Sequence, residues 1–200
     1  MNRLLDLLVA GLALAVVSPL MAICALAIKL DSRGPVFYRQ RRVGRDGVPF
    51  ELIKLRTMVV DAEHSGAGLY IEDGDSRITR VGRVLRRFSL DELPNLVNVL
   101  RGELAIVGPR PTVQVQVDRY TPHQRRRLEV LPGITGWAQV NGRTSLSWPE
   151  RIDLDVWYVD NRSLALDLRI LARTVRMLVT GHGLYSSDLE QGWGEKDRAD

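Results

Sequence analysis

The sequence predicts an α+β protein in which an apolar N-terminal helix precedes a short β-hairpin and amphipathic helices. Three observations carry this prediction. Residues 7–28 contain no charged side chain, residues 35–60 alternate apolar and polar side chains around a turn, and residues 77–88 and 164–179 repeat apolar side chains at helical spacing. The 200 residues, 45% of them hydrophobic, are enough for one ordinary domain with a core.

The apolar segment over residues 7–28 has the length of a membrane helix, since its 22 residues would span about 30 Å. A cleaved signal peptide fits poorly, because the apolar run is too long and an arginine-rich segment follows it. A spanning helix and a re-entrant helix–break–helix both stay open. The reason is Pro19, which removes a backbone donor and predicts a break or kink at Ser18–Pro19.

Residues 35–60 are predicted to form a β-hairpin whose turn is the Gly-Arg-Asp-Gly cluster at residues 44–47. Lys54 and Arg56 are two residues apart on the second strand, so they project from the same face. A solvated strand face and a phosphate-binding face both fit this pair.

Residues 77–88 are predicted to form an amphipathic helix with arginines over its polar face. Such a helix fits a membrane surface rich in anionic lipid, or a polyphosphate substrate. We expect no nucleic-acid partner, because the sequence has no zinc, RNA-binding or leucine-zipper pattern. The apolar face of residues 164–179 fits either the core or a membrane surface.

The charge balance also points toward phosphate. Lys and Arg outnumber Asp and Glu by 28 to 24, and nearly all of the basic residues are arginine. A codon bias and recognition of phosphate by the planar guanidinium both explain this excess. The single cysteine, Cys24, excludes a disulfide framework and a multi-cysteine zinc site.

An acidic pair, Asp91 and Glu92, follows the arginine-rich helix directly. Ser89 and Glu92 match a capping box, and Pro94 fits the first turn of a new helix. Alternatively the carboxylates do chemistry, since the neighbouring Arg86 would keep Asp91 ionised and close to a bound phosphate. Farther on, the Gly-Pro-Arg-Pro sequence at residues 108–111 predicts a rigid loop that presents one guanidinium.

Together these motifs resemble the bacterial sugar transferases, the monotopic class of polyprenyl-phosphate phosphoglycosyl transferases. Each motif is weak alone, whereas their joint order along most of the chain is specific. The matching motifs are Ser18–Pro19, KxRTM at 54–58, RxxSLDELP at 86–94, GPRP at 108–111, PGITGWAQVNGR at 132–143, and DxWYV and DLRI at 155–159 and 167–170.

The resemblance implies a two-step displacement. Asp91 would attack the sugar-proximal phosphate of a UDP-sugar, release UMP and carry the sugar phosphate as an aspartyl phosphodiester. Polyprenyl phosphate, as undecaprenyl phosphate in a bacterium, would then accept the sugar phosphate. This reaction begins the assembly of exopolysaccharide, capsule, O-antigen or other glycoconjugates.

The resemblance also implies Mg²⁺ as cofactor, with Asp91 and Glu92 as metal ligands. A hard cation neutralises the diphosphate, which would otherwise repel an anionic nucleophile. Glu92 either serves the metal or accepts a proton from the lipid phosphate, and both roles stay open.

Further polar residues are expected to bind substrate. Arg86 and Arg110 would stabilise the transferring phosphate. For the residues after position 132, a packing role is an open alternative. The expected substrate-binding residues are Lys54, Arg56, Arg86, Arg110, Gln139, Asn141, Arg143, Asp155 and Tyr158.

By the same resemblance, residues 1–30 form a re-entrant anchor in the bacterial inner membrane. A catalytic domain over residues 31–187 would lie on the cytoplasmic face, and residues 188–200 would form a flexible tail. The expected partners are a UDP-sugar, polyprenyl phosphate and membrane lipids, and a homodimer is compatible with this arrangement. The competing hypothesis is a non-catalytic membrane-surface adaptor that binds anionic lipid through the arginine-rich helix and uses the acidic pair as a helix cap.

Overall fold

The computed structural model describes residues 3–62, 74–142 and 146–180. The tail predicted over residues 188–200 lies outside the described residues. The helices and strands are α1 (Arg3–Asp31), β1 (Phe37–Val43), β2 (Pro49–Leu55), α2 (Arg80–Arg87), α3 (Asn95–Arg101), β3 (Ala105–Val107), α4 (Gln114–Val117), α5 (Pro122–Arg125), β4 (Gly133–Thr135), α6 (Trp137–Val140), α7 (Trp148–Asn161) and α8 (Leu164–Thr180).

The predicted α+β class and the β-hairpin are confirmed. β1 and β2 pair antiparallel, with Tyr38 opposite Lys54 and Val43 opposite Pro49. A single 3-10 turn, Arg45–Gly47, connects them, as the glycine-rich cluster predicts. A second small sheet, in which β3 pairs with β4 in parallel, was not predicted from the sequence.

Helix α1 continues through Ser18–Pro19, where the sequence predicts a break. Pro19 has no N–H to donate to the carbonyl of Ala15, four residues earlier. The Ser18 hydroxyl donates to that same carbonyl at 2.9 Å. The Ser18 side chain therefore replaces the missing backbone donor, and the helix continues to Asp31. By length and composition, α1 is able to cross a membrane.

Both ends of α1 are bound to the rest of the protein. Near its N-terminus, Asp6 is buried and its carboxylate accepts a hydrogen bond from the Ile106 amide at 3.0 Å. At its C-terminus, the Asp31 carboxylate accepts one from the Val81 amide at 3.0 Å. Between these points Ala10 is fully buried in the main core. The helix therefore packs along the body and does not project from it by one end.

The main core joins α1 to both sheets and to the last helix, α8. α8 packs into this core through Leu166 and Ile170, which are 7% and 0% exposed. Leu171 packs partly against it, whereas four other large apolar side chains of α8 are exposed, so the core covers only part of its apolar face. These exposed side chains are Leu164, Leu168, Val175 and Leu178.

The parallel strands come unusually close where two glycines face each other. A Cβ atom on Gly133 would lie 2.1 Å from the Gly108 amide nitrogen, and one on Gly108 would lie 2.5 Å from the Leu131 carbonyl oxygen. Only glycine fits both positions, because any side chain would force the strands apart. This close pairing fixes the start of the loop over residues 108–112.

Candidate active site

The acidic pair lies in a tight turn between α2 and α3. Ser89 takes a left-handed backbone conformation with φ of 53°, and Leu90–Glu92 then form a 3-10 turn. The Ser89 side chain makes no capping hydrogen bond, and α3 begins only at Asn95. The capping box considered for Ser89 and Glu92 is therefore wrong.

Glu92 is bound between two cations from different parts of the chain. Its Oε1 accepts hydrogen bonds from Lys54 Nζ at 2.9 Å and from Arg110 Nη2 at 2.6 Å. Burial alone would raise the pKa of Glu92, but Arg110 and Lys54 outweigh it and hold that pKa well below its usual range. Glu92 is thus an ionised carboxylate that organises the cations of β2 and of the loop over residues 108–112.

Asp91 has the opposite electrostatic environment. Burial raises its pKa and outweighs the cations Lys54, Arg86 and Arg110, while the neighbouring Glu92 raises it further. The nearby cations lower the pKa of Asp91, as expected, but they do not offset the effect of its burial. Two adjacent carboxylates with opposite pKa shifts are typical of a site in which each has a different task.

Asp91 lines a cavity of about 410 Å³, a size typical of small-molecule sites. Its lining combines cations with apolar side chains, some of which belong to the segment that follows α1. The cations are Arg42, Lys54, Arg56, Arg86 and Arg110; the apolar side chains include Pro35, Phe37, Met58, Val59 and Val60.

The structure thus brings together the predicted residues up to position 110, although not all of these side chains are equally free to contact a ligand. Arg86 Nε donates to the Thr57 hydroxyl at 2.8 Å, which fixes its side chain on the cavity wall. Arg56 is 5% exposed, and its guanidinium donates to the backbone carbonyls of Ser32 and Arg33. Arg56 therefore lines the cavity while holding the segment that follows α1.

Sequence reasoning missed the contribution of β1. Tyr38, Gln40 and Arg42 occupy alternate positions on one strand face and all line the cavity. Arg42 donates to Gln40 Oε1 at 3.0 Å and to the Pro111 carbonyl at 3.4 Å. The alternation of side chains along β1 could have indicated this contribution. Tyr38 lies opposite Lys54 in the hairpin, so Gln40 and Arg42, on the same strand face as Tyr38, lie on the same side of the sheet as Lys54.

Two predicted substrate-binding residues from the second half, Gln139 and Asn141, do not line this cavity. Gln139 is buried and donates to the Ile134 carbonyl at 3.0 Å. Asn141 donates to the Trp137 carbonyl at 2.8 Å and accepts a hydrogen bond from Arg173 at 2.6 Å. Arg143, predicted with them, lies outside the described residues.

Asp155 and Tyr158 are also buried away from the cavity. Asp155 accepts a hydrogen bond from Arg127, and both side chains are 3% exposed. The Tyr158 hydroxyl donates to Asp167 at 2.7 Å. Asp155 and Tyr158 therefore belong to the buried framework of the protein and do not line the cavity that contains Asp91.

The donor set at the acidic pair fits Mg²⁺. No cluster of three or more His, Cys, Asp or Glu side chains occurs among the residues that the structure describes, so a site made only of protein ligands is absent there. Mg²⁺ commonly takes one or two carboxylates and completes its shell with water and substrate phosphates. Asp91 and Glu92 supply such a pair, since Glu92 Oε2 has only a 3.5 Å contact with Arg110.

Comparison with known proteins gives a consistent result. The sequence model of a family described as bacterial sugar transferase matches residues 1–181. The chain is 44% identical over 188 residues to the uncharacterized sugar transferase EpsL of Bacillus subtilis, which covers 94% of this chain and 92% of that protein.

Two further relatives have named activities. The chain is 44% identical over 192 residues to the UDP-glucose:undecaprenyl-phosphate glucose-1-phosphate transferase of Caulobacter vibrioides, covering 92% of this chain and 72% of the relative. It is 43% identical over 188 residues to the UDP-N-acetylgalactosamine-undecaprenyl-phosphate N-acetylgalactosaminephosphotransferase of Aeromonas hydrophila, covering 91% of this chain and 44% of the longer relative.

Proposed function

Because the chain belongs to the bacterial sugar transferase family, we propose that it transfers a sugar phosphate from a UDP-sugar to undecaprenyl phosphate. It is a phosphoglycosyl transferase, and the reaction is that of the relatives with named activities. The observation that carries the proposal is the cavity in which Asp91 lies among the cations Lys54, Arg86 and Arg110. The two relatives are named for different sugars, and a panel of UDP-sugars in the transfer assay identifies the sugar that this chain transfers.

In the first step, a carboxylate oxygen of Asp91 forms a bond to the sugar-proximal phosphorus of the UDP-sugar. The bond from that phosphorus to the bridging oxygen breaks, and UMP leaves with the electron pair. The aspartyl phosphodiester then carries the sugar phosphate. Arg86 and Arg110 line the same cavity as Asp91, and in this proposal they stabilise the negative charge that builds up on the phosphate oxygens.

In the second step, a phosphate oxygen of undecaprenyl phosphate attacks the same phosphorus. The bond to Asp91 breaks, which restores the free carboxylate and gives the polyprenyl-diphosphate sugar. The apolar side chains of the cavity lining suit this acceptor, since Phe37, Val59 and Val60 are 44% to 51% exposed. Phe37 follows the end of α1 by six residues, and Val60 lies against Gly34 of the same connecting segment, where a Cβ atom would be 2.6 Å from the Val60 side chain. An isoprenoid chain would therefore enter from the anchor side.

We also propose that Asp91 and Glu92 hold Mg²⁺ together with the diphosphate of the substrate. The cation would neutralise negative charge on the diphosphate. Lys54 and Arg110 keep Glu92 ionised for this purpose. Since Glu92 is already bound by two cations, its organising role has more structural support than a role as proton acceptor.

The acceptor lipid requires a site at the membrane surface, and α1 supplies the attachment. A spanning helix of this length would carry one of its ends to the far side of the bilayer. Both ends of α1 are instead hydrogen-bonded to the body, through Asp6 and Asp31. The side of α1 turned away from the body is a continuous apolar stripe of Leu4, Leu8, Leu12, Val16, Leu20, Ile23, Leu26 and Leu30.

We infer that α1 inserts its apolar stripe into the inner membrane with both of its ends on the cytoplasmic face, in the monotopic manner. In a Cys24→Ala background, Asn2→Cys and Lys29→Cys place one thiol near each end of the apolar segment, at polar positions instead of stripe positions. A membrane-impermeant maleimide should label both in inverted membrane vesicles and neither in intact spheroplasts. Labelling of one end from each side would show that α1 spans the bilayer.

The transfer reaction is tested with the full chain, Mg²⁺ and a panel of UDP-sugars labelled in the sugar phosphate. Without acceptor, we expect a burst of UMP and an equal amount of protein-bound label. Asp91→Asn should abolish both. Asp153→Asn serves as matched control, because Asp153 is an exposed carboxylate of α7.

Full turnover by Asp91→Asn would overturn the assignment of the nucleophile. Folded wild-type protein that releases no UMP with any sugar, with acceptor present, would overturn the transferase itself and favour the adaptor hypothesis. That hypothesis has lost its structural support at the acidic pair, since Ser89 makes no capping hydrogen bond.

A further inference from the structure

The loop that presents Arg110 is held almost entirely by its carbonyl groups. Its two prolines, Pro109 and Pro111, have no N–H to donate. Four consecutive carbonyls, from residue 109 to residue 112, each accept a hydrogen bond from another part of the chain. Their donors, in order, are the Gly133 amide at 2.8 Å, Arg127 Nη2 at 2.8 Å, Arg42 Nη1 at 3.4 Å and the Val43 amide at 2.8 Å.

Among these four donors, Arg127 is a buried side chain. It is 3% exposed, and its guanidinium contacts the Tyr120 hydroxyl at 2.5 Å as well as the Asp155 carboxylate. It also donates a hydrogen bond to the carbonyl of Arg110 itself. Burying an ion pair in a small domain commonly brings no net stability compared with apolar side chains of similar size. The pair therefore calls for a reason other than stability.

That reason lies in how Arg110 is held from both of its ends. Its backbone carbonyl accepts from Arg127, while its guanidinium is paired with Glu92 beside Asp91. Fixing the backbone matters because a long side chain that starts from a displaced main chain reaches a phosphate at the wrong place. Misplacement by about 1 Å costs about a hundredfold in rate.

We propose that Arg127, oriented by Asp155 and Tyr120, is a positioning residue that sets the backbone of Arg110 for phosphate binding. This inference rests on the proposed function of the cavity. It assigns Asp155 a task different from the substrate contact that the sequence predicts. Asp155 holds Arg127, Arg127 holds the loop, and the loop delivers the Arg110 guanidinium.

A double-mutant cycle separates positioning from general stability. Arg127→Met should lower kcat for sugar-phosphate transfer about a hundredfold in the wild-type background. In an Arg110→Ala background the same substitution should change kcat less than about threefold, because residues that act through one another are not additive. An equal fold-loss in both backgrounds would overturn the proposal.

Control variants exclude trivial explanations. Arg126→Met removes the neighbouring arginine and should leave kcat unchanged. The Arg126 guanidinium also pairs with a carboxylate of α7, Asp160, but its side chain is 39% exposed. Arg127→Lys keeps the charge but offers no planar fork for three partners, so it should restore folding without restoring kcat. Should Arg127→Met fail to fold, the paired replacement Arg127→Met with Asp155→Leu leaves no unpaired buried charge and takes its place in the cycle. Full kcat in Arg127→Lys would contradict the proposal.

A readout independent of activity distinguishes this inference from the proposed function. Hydrogen exchange of the peptide that spans residues 104–113 should speed up in Arg127→Met and stay unchanged in Arg126→Met. If the wild-type chain transfers no sugar phosphate, the function fails while this exchange result still tests the loop. Unchanged exchange in folded Arg127→Met would overturn the positioning role.

Discussion

Charged side chains form two groups in this protein, and the groups are built differently. Beside the cavity, Lys54, Glu92 and Arg110 pair with one another while 15%, 17% and 46% exposed. Around α7, Arg127 and Asp155 pair at 3% exposure each. In the proposed reaction the cavity group would exchange partners with an incoming phosphate, whereas breaking the buried pair would leave an isolated charge in the interior.

This difference teaches how to interpret charged motifs in the chain. The cavity group belongs to the motifs that carry the family resemblance, and so does Asp155 of the buried pair, yet only the cavity group faces a space where a ligand fits. The second group, like the hydrogen-bonded Tyr158 and Asp167, belongs to the buried framework that supports the cavity. A motif residue therefore serves either the chemistry or the support of that chemistry, and its exposure separates the two roles.

Between these two groups, Arg110→Ala should have the largest effect on activity and almost none on stability. Removing a cation aimed at the transferring phosphate should lower kcat about a hundred- to a thousandfold. The side chain is 46% exposed, so the free energy of unfolding should change by less than about 1 kcal/mol. Steady-state UMP release and chemical denaturation measure the two quantities. A large loss of stability would place Arg110 with the framework and break the comparison.

Tyr158→Phe should show the reverse behaviour. The substitution removes the hydroxyl that donates to the Asp167 carboxylate, and Asp167 is fully buried. Leaving a buried carboxylate short of a donor should cost about 1–3 kcal/mol in the free energy of unfolding. At a temperature where the variant is folded, kcat and KM should stay within about twofold of wild type. A drop in kcat without loss of stability would support the predicted substrate contact of Tyr158.

The parts of the fold that depend on local pattern were predictable. The hairpin, the helices α2 and α8 and the apolar α1 follow from periodicity and turn residues within one segment. The parallel pairing of β3 with β4 was not predictable, because it depends on two glycines about 25 residues apart that meet only after folding. At Pro19, where a break or kink was predicted, α1 stays helical, and the Ser18 hydroxyl donates to the carbonyl that lacks its backbone donor, a local contact that hydrophobicity and proline position do not predict.

The candidate site divides in the same way. Lys54, Arg86, Asp91 and Arg110 were predicted and meet at the cavity. Arg127 was missed, because nothing in a run of three arginines at residues 125–127 indicates which one is buried. The predicted capping box is wrong because Glu92 pairs with Lys54 and Arg110, two cations distant in sequence, and not with the neighbouring Ser89. Such long-range contacts are also invisible in the local pattern.

The smallest expected effect concerns the turn that separates the arginine helix from the acidic pair. Ser89 has φ of 53° and Asp46, in the hairpin turn, has φ of 57°. A left-handed conformation costs an ordinary residue roughly 1–2 kcal/mol, and glycine avoids that cost while losing more entropy on folding. Both Ser89→Gly and Asp46→Gly should therefore change the free energy of unfolding by at most about 1 kcal/mol.

Their activities should differ, because only Ser89 lies next to the chemistry. A glycine at position 89 frees the backbone immediately before the 3-10 turn that carries Asp91, so kcat should fall a few-fold with KM little changed. Asp46→Gly, in a turn remote from the acidic pair, should keep full kcat. Equal kcat in the two variants would mean that the left-handed turn only connects two helices, and that Asp91 is oriented by its packing alone.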